Sequence, residues 1–66
     1  MTVAKTIEIS ADSTVSFEDA IKEGVKKAGD SVNHIQQAWI KNQVVMLNDG
    51  KVEGYRVHMN VTFEVK

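Results

Sequence analysis

Glu53-Gly54-Tyr55-Arg56-Val57-His58-Met59-Asn60-Val61-Thr62-Phe63-Glu64-Val65-Lys66 closes the chain and decides its fold. From Tyr55 onward every odd position is apolar and every even position is polar or charged. Successive strand residues point to opposite faces, so this pattern predicts one long strand with a single apolar face. At ~15 residues and ~3.3 Å each, it runs to ~50 Å.

Working outward, Asn48-Asp49-Gly50 just before it is a hairpin signal, because tight hairpin turns need the left-handed backbone these residues tolerate. Residues 36–47 read as a second strand, although neither parity is cleanly apolar. Val44-Val45-Met46-Leu47 is apolar on both faces. Either a bulge switches faces there, or both sides are covered. At the other end of the chain, residues 2–10 read as a strand with Val3, Ile7 and Ile9 on one face and Ala4, Thr6, Glu8 and Ser10 on the other. Ala11-Asp12-Ser13-Thr14 has the composition of a polar turn.

A helix over 16–33 joins these strands. Ser16-Phe17-Glu18-Asp19 resembles a capping box with Asp in place of the usual Glu, and Val15 and Ala20 occupy the positions of a hydrophobic staple. Phe17, Ala20, Ile21, Val25, Ala28 and Val32 recur at three- and four-residue steps, while Glu18–Lys22 and Glu23–Lys27 pair on the other side. Gly24 and Gly29 each weaken such a helix by ~1 kcal/mol relative to alanine, which close approach to the sheet would explain.

These elements give an α+β domain in β-α-β-β order spanning 1–66: a three-stranded antiparallel sheet, order 1-3-2, packed on one helix. The crossover between the first two strands is expected to be right-handed. An 18-residue helix covers only ~27 Å of a ~50 Å strand. The uncovered apolar row must meet another subunit.

The bulk numbers agree. A chain of 66 residues has a marginal core of its own, and with no cysteine it has no disulfide or thiolate zinc site. Oligomerisation is the remaining device for a scaffold this small. A net charge of −1 with interleaved lysines gives no footprint for nucleic acid or for a membrane surface. No apolar run reaches the ~20 residues of a membrane span, and the first residues alternate rather than forming a signal-like run, so a cytoplasmic protein is expected. No nucleophile–base spacing or Gly-rich phosphate loop is present, so the chain is read as a binding protein and not an enzyme.

Several stretches together resemble the dodecin family: Ile7-Glu8-Ile9 leading to a serine-containing turn, Ser16-Phe17-Glu18-Asp19-Ala20-Ile21 opening the helix, Asp49-Gly50-Lys51-Val52-Glu53 in the hairpin, and Tyr55-Arg56-Val57 before an alternating strand with Phe63-Glu64. Their order and spacing from Val3 to Val65 carry the resemblance. It implies a hollow homododecamer holding ligands between subunits. For many dodecins the ligand is a flavin (FMN, FAD or riboflavin), stacked on a tryptophan near the start of strand two and bonded at its ring edge by a glutamine after the strand-three tyrosine. Here Gln37 falls at the tryptophan position and Arg56 at the glutamine position, while the only tryptophan, Trp39, lies two residues further along. Gln37, Trp39 and Arg56 are the ligand-binding candidates on this reading. Some dodecin-like proteins lack the tryptophan and are regarded as calcium-binding; the resemblance to those makes Asp49 and Glu53 the candidate ligands for that ion.

Each candidate also has a plainer role. Trp39 suits packing between subunits, Arg56 a cross-strand or intersubunit ion pair, and Gln37 solvated strand polarity. His34 reads as a helix-end histidine and His58 as one of the polar alternates. Asp49 and Glu53 with Asn48 give three oxygen ligands, short of the six to eight calcium takes, so calcium would need oxygens shared between chains.

Overall fold

A computed structural model of the protein describes residues 2–65. The elements run β1 (Val3–Ser13), α1 (Phe17–Ala28), β2 (Ile35–Asn48) and β3 (Lys51–Val65). The sheet order is β1-β3-β2 with both pairings antiparallel, as the alternation and the hairpin predict. Asp49 and Gly50 turn the β2–β3 hairpin with φ of 56° and 79°, the two left-handed residues of a tight two-residue connection.

The odd positions of β3 face the helix. Val57, Met59 and Val61 are fully buried there together with Ala20 of α1. Ile7, Ile9, Ala11, Ile35, Ala38 and Ile40 pack around them from the flanking strands. Phe17 meets Tyr55 edge-on, with ring centroids 5.1 Å apart. At Gly24 the helix comes so close to the sheet that a Cβ would stand 2.9 Å from the Ala11 Cβ and 3.0 Å from the Met59 Cε. The close-approach reading holds at this glycine.

Local composition misleads at several places. β1 does not stop at Ser10 but runs through Asp12 and Ser13, which pair with Arg56 and Tyr55. Partners across the sheet override the turn chemistry. The helix ends at Ala28 rather than 33: Gly29 caps it with ordinary φ of −63°, and Asp30, Ser31 and Val32 form tight turns on Lys27 and Ala28 carbonyls. Gly29 therefore marks a helix end and makes no close contact with the sheet. His34 lies beyond the helix in a left-handed conformation, φ 62°, so it is not a helix-end residue.

At the helix start, Ser16 Oγ accepts from the Asp19 N–H at 2.9 Å as predicted. The reciprocal bond of a capping box is replaced. Ser13 Oγ donates to Asp19 at 2.6 Å and accepts from the Val15 N–H at 2.9 Å. Val15 is 70% exposed, so it forms no staple with buried Ala20.

β2 shows why neither of its parities is apolar. Register shifts fall between Ile35 and Gln37, between Ile40 and Asn42, and between Met46 and Leu47. The first two leave an extra residue in β2, Gln36 and Lys41, and each resets which of its parities faces the helix; the third leaves the extra residue in β3. The molecule extends 51 Å in its longest direction, whereas twelve helical residues cover only ~18 Å. Val3 and Val65 at one end, and Val45, Leu47 and Val52 at the other, stay exposed.

Candidate functional site

With the helix on one face, the even positions of β3 form the middle column of the other. The register sets Thr6, Glu8, Ser10 and Asp12 of β1 beside Thr62, Asn60, His58 and Arg56. On the opposite flank the same four residues meet Gln37, Trp39, Asn42 and Val44 of β2. Four cross-strand rows result. Gln37, Trp39 and Arg56 thus share one face, as expected for Gln37 and Trp39 from their two-residue spacing. Trp39 is 63% exposed, a large indole surface open to contact.

The rows are tied by hydrogen bonds. Thr6 and Thr62 hydroxyls meet at 3.0 Å, and Ser10 Oγ lies 2.6 Å from His58 Nδ1. Arg56 grips Asp12 through two parallel bonds, Nε to Oδ1 at 2.7 Å and Nη2 to Oδ2 at 2.9 Å. This is the cross-strand ion pair among the roles read for Arg56. Lys41, the extra residue of the bulge after Ile40, reaches across the middle strand to Glu8 at 2.7 Å. At the end of the ladder Gln36 donates to Glu64 at 3.3 Å.

These bonds set the electrostatics. The hydrogen bond from Arg56, with its charge, holds the Asp12 carboxyl below the usual carboxylate range, and the bond to Asp12 raises Arg56 in turn. Glu8 is likewise lowered by the hydrogen bond and charge of Lys41. Glu8, Ser10, Asp12 and Lys41 were not singled out by sequence reading. The available signal was complementarity: once β1 and β3 are set antiparallel, acids and hydroxyls of one alternate series face the basic and polar series of the other.

The face carries chemical groups that planar ligands use. An exposed indole offers stacking surface, and the amides of Gln37, Asn42 and Asn60 and the hydroxyls around it offer both donors and acceptors. The fit to calcium is poorer within one chain. Asp49 sits in the turn, and Glu53 is the extra β3 residue at the last bulge. Glu53 lines an open cleft of about 340 Å³ with Asp12, Ser13, Thr14, Met46 and Gly54, where the Arg56 charge on Asp12 opposes a cation. Among the described residues no three His, Asp or Glu side chains converge to hold a metal. A larger cleft of about 450 Å³ lies on the helix side between α1 and β1, lined mainly by Ile7, Ile9, Ala11, Gly24 and Ala28, away from Trp39. Among the described residues no helix is long and apolar enough to cross a membrane.

Comparison with known proteins bears on the fold and the family. The chain is 33% identical over all of its 66 residues to the calcium dodecin of Mycobacterium tuberculosis, covering 93% of that protein. The structure of that calcium-chelating antigen, described as having a novel calcium-binding site, superimposes with a TM-score of 0.85 over 97% of this chain and 91% of the other. A dodecin from Streptomyces davaonensis, 22% identical, shares the fold with a TM-score of 0.93 over 98% of this chain and 96% of its own. The dodecin family model matches residues 3–66. β-α-β-β order, strand order β1-β3-β2, and this match along nearly the whole chain place the protein in the dodecin family.

Proposed function

We propose that this protein is a cytoplasmic, non-enzymatic binding protein that assembles as a hollow homododecamer and holds a flavin or related planar ligand between subunits. The observation that carries the reading is Trp39, an exposed indole on the hydrogen-bonding face of a sheet whose opposite face is taken by the helix. Gln37 on the same face supplies amide donors and acceptors, and Arg56 supplies donors. Assembly is supported by apolar side chains left exposed, Val45, Leu47 and Val52 beyond the reach of the helix and Val44 on the opposite face. Stacking of a base-like ring on an aromatic side chain contributes ~1–3 kcal/mol, so with Gln37 at the family's tryptophan position binding is expected to be roughly ten- to a hundredfold weaker than in relatives that carry it. Titration of riboflavin and its mononucleotide, followed by quenching of flavin fluorescence, tests the reading. Saturable binding that Trp39→Ala removes supports it, and no binding by the intact assembly overturns it.

A second reading is a calcium-associated assembly, favoured by the relative named calcium dodecin. In that reading Asp49 and Glu53 contribute oxygens to sites completed by neighbouring chains.

A further inference from the structure

We infer that Asp12 is a specificity-determining residue of the Trp39 face: by holding the Arg56 guanidinium in a two-bond pair, it tunes that face to a neutral planar heterocycle over the phosphorylated form of the same ring. The inference rests on the ligand-face reading above and adds to it the charge class of the ligand.

Three observations support it. First, the charges of the four rows cancel. Asp12 (−1) is paired with Arg56 (+1), and Glu8 (−1) with Lys41 (+1), so these four sum to zero across rows otherwise built from amides, hydroxyls, Val44, His58 and an indole, with Glu64 beyond them at the far end of the ladder. Second, the Arg56 pair uses the planar fork. Nε and Nη2 both point at the Asp12 carboxylate at 2.7 and 2.9 Å, which is the geometry by which arginine takes a phosphate. A phosphate arriving there competes with a carboxylate already in place and is repelled by it. Third, the placement suits discrimination. Arg56 lies two rows from Trp39, roughly 13 Å along the strand, within the combined reach of its own side chain and the ribityl phosphate tail of a flavin stacked on the indole. Without Asp12, the same arginine would be a phosphate anchor.

The test compares riboflavin with flavin mononucleotide on the assembled full chain at low and high salt. The wild-type protein is expected to bind the two within about threefold of each other. Asp12→Asn keeps the shape but removes the charge, leaving Arg56 with a net positive charge to offer. The ratio should then move toward the mononucleotide by about tenfold or more, the scale of a charge-assisted hydrogen-bonded pair, and the gain should shrink at high salt. Adding Arg56→Gln to Asp12→Asn should cancel the gain. Arg56→Gln alone does not depend on how Asp12→Asn folds; it leaves Asp12 as an uncompensated negative charge on the face, so the ratio should move the other way, toward riboflavin. A ratio unmoved by Asp12→Asn in an intact assembly overturns the inference, as does a shift toward the mononucleotide in Arg56→Gln alone. If riboflavin binds and Trp39→Ala removes it, such a result falls on Asp12 alone. If the wild-type protein binds neither flavin, the ligand-face reading and the inference fail together.

Discussion

Replacing Gly24 by alanine should destabilise the protein although it improves the helix. Alanine in a helix interior is favoured over glycine by ~1 kcal/mol, so an unconstrained site would gain that much. At Gly24 the new methyl would stand 2.9 Å from the Ala11 Cβ and 3.0 Å from the Met59 Cε. The Met59 thioether can swing aside. The Ala11 Cβ is fixed to its strand. Restoring a carbon–carbon separation of about 3.5–4.0 Å requires the helix to lift off β1 by roughly half an ångström to one ångström. Overpacking of this kind costs ~1–3 kcal/mol, which outweighs the propensity gain. The expected net loss is ~1 kcal/mol, a melting temperature lower by roughly 4–8 °C for a domain of this size. Circular dichroism melts at one fixed chain concentration would measure it, since association makes the midpoint depend on concentration. Gly29→Ala is the control. Its φ of −63° is ordinary and its neighbours are carbonyls of its own helix end, so it should gain ~0.4–1 kcal/mol. Adding Ala11→Gly to Gly24→Ala should recover stability beyond the sum of the single changes. A Gly24→Ala protein as stable as wild type, or an absence of coupling with Ala11, would refute the contact argument.

Charging the buried row should be far more severe. Val61 is fully buried, and Val61→Asp strands an unpaired carboxylate at a cost of several kcal/mol, so size exclusion with circular dichroism should show folding and assembly lost together. Light scattering of the native protein should give a mass near twelve chains, and a stable folded monomer at micromolar concentration would count against the assembly. If calcium binds between chains, chelator should lower the melting temperature and added calcium should restore it, because only the assembled form binds the ion; no shift in either direction excludes it. Asp12 and Glu8 have folded-state acidities strengthened by Arg56 and Lys41, so their contribution is complete above the unfolded carboxylate value near ~4 and disappears as pH falls from there through the lower folded value. Melts between pH 2 and 6 should therefore show an acid-side loss of stability that is smaller in Asp12→Asn; equal slopes would count against the pairing.

The parts of the fold legible in the sequence were those fixed by long-range patterning. The alternation from Tyr55 to Val65, the Asp49-Gly50 turn and the single apolar stripe of the helix leave few ways to arrange the chain, and the order β1-β3-β2 follows. What was illegible depended on partners distant in sequence. Asp12 and Ser13 have turn chemistry, but opposite Arg56 and Tyr55 they belong to a strand. Val32 keeps the helical spacing, yet Gly29, Asp30 and Ser31 tip the chain into tight turns before it. In β2 the bulges scramble the parity that strand reading depends on. The candidate face followed the same division. Gln37 and Trp39 fall together by spacing alone, because no bulge lies between them. The grip of Asp12 on Arg56 and the reach of Lys41 to Glu8 appear only after the register is fixed, and Lys41 reaches across because a bulge leaves it unpaired.

Trp39 is the chain's single tryptophan, and the single tyrosine, Tyr55, lies on the opposite face against Phe17. Each subunit therefore carries one optical reporter on the polar face, largely in water, and a second chromophore inside the helix-packed side. Indole emission should respond to whatever covers that face, whether a ring, a neighbouring chain or a rearranged loop, and change little when the core alone loosens. Far-ultraviolet dichroism follows the backbone. Recording both during one melt would separate the uncovering of the surface from the loss of the fold, with no label added.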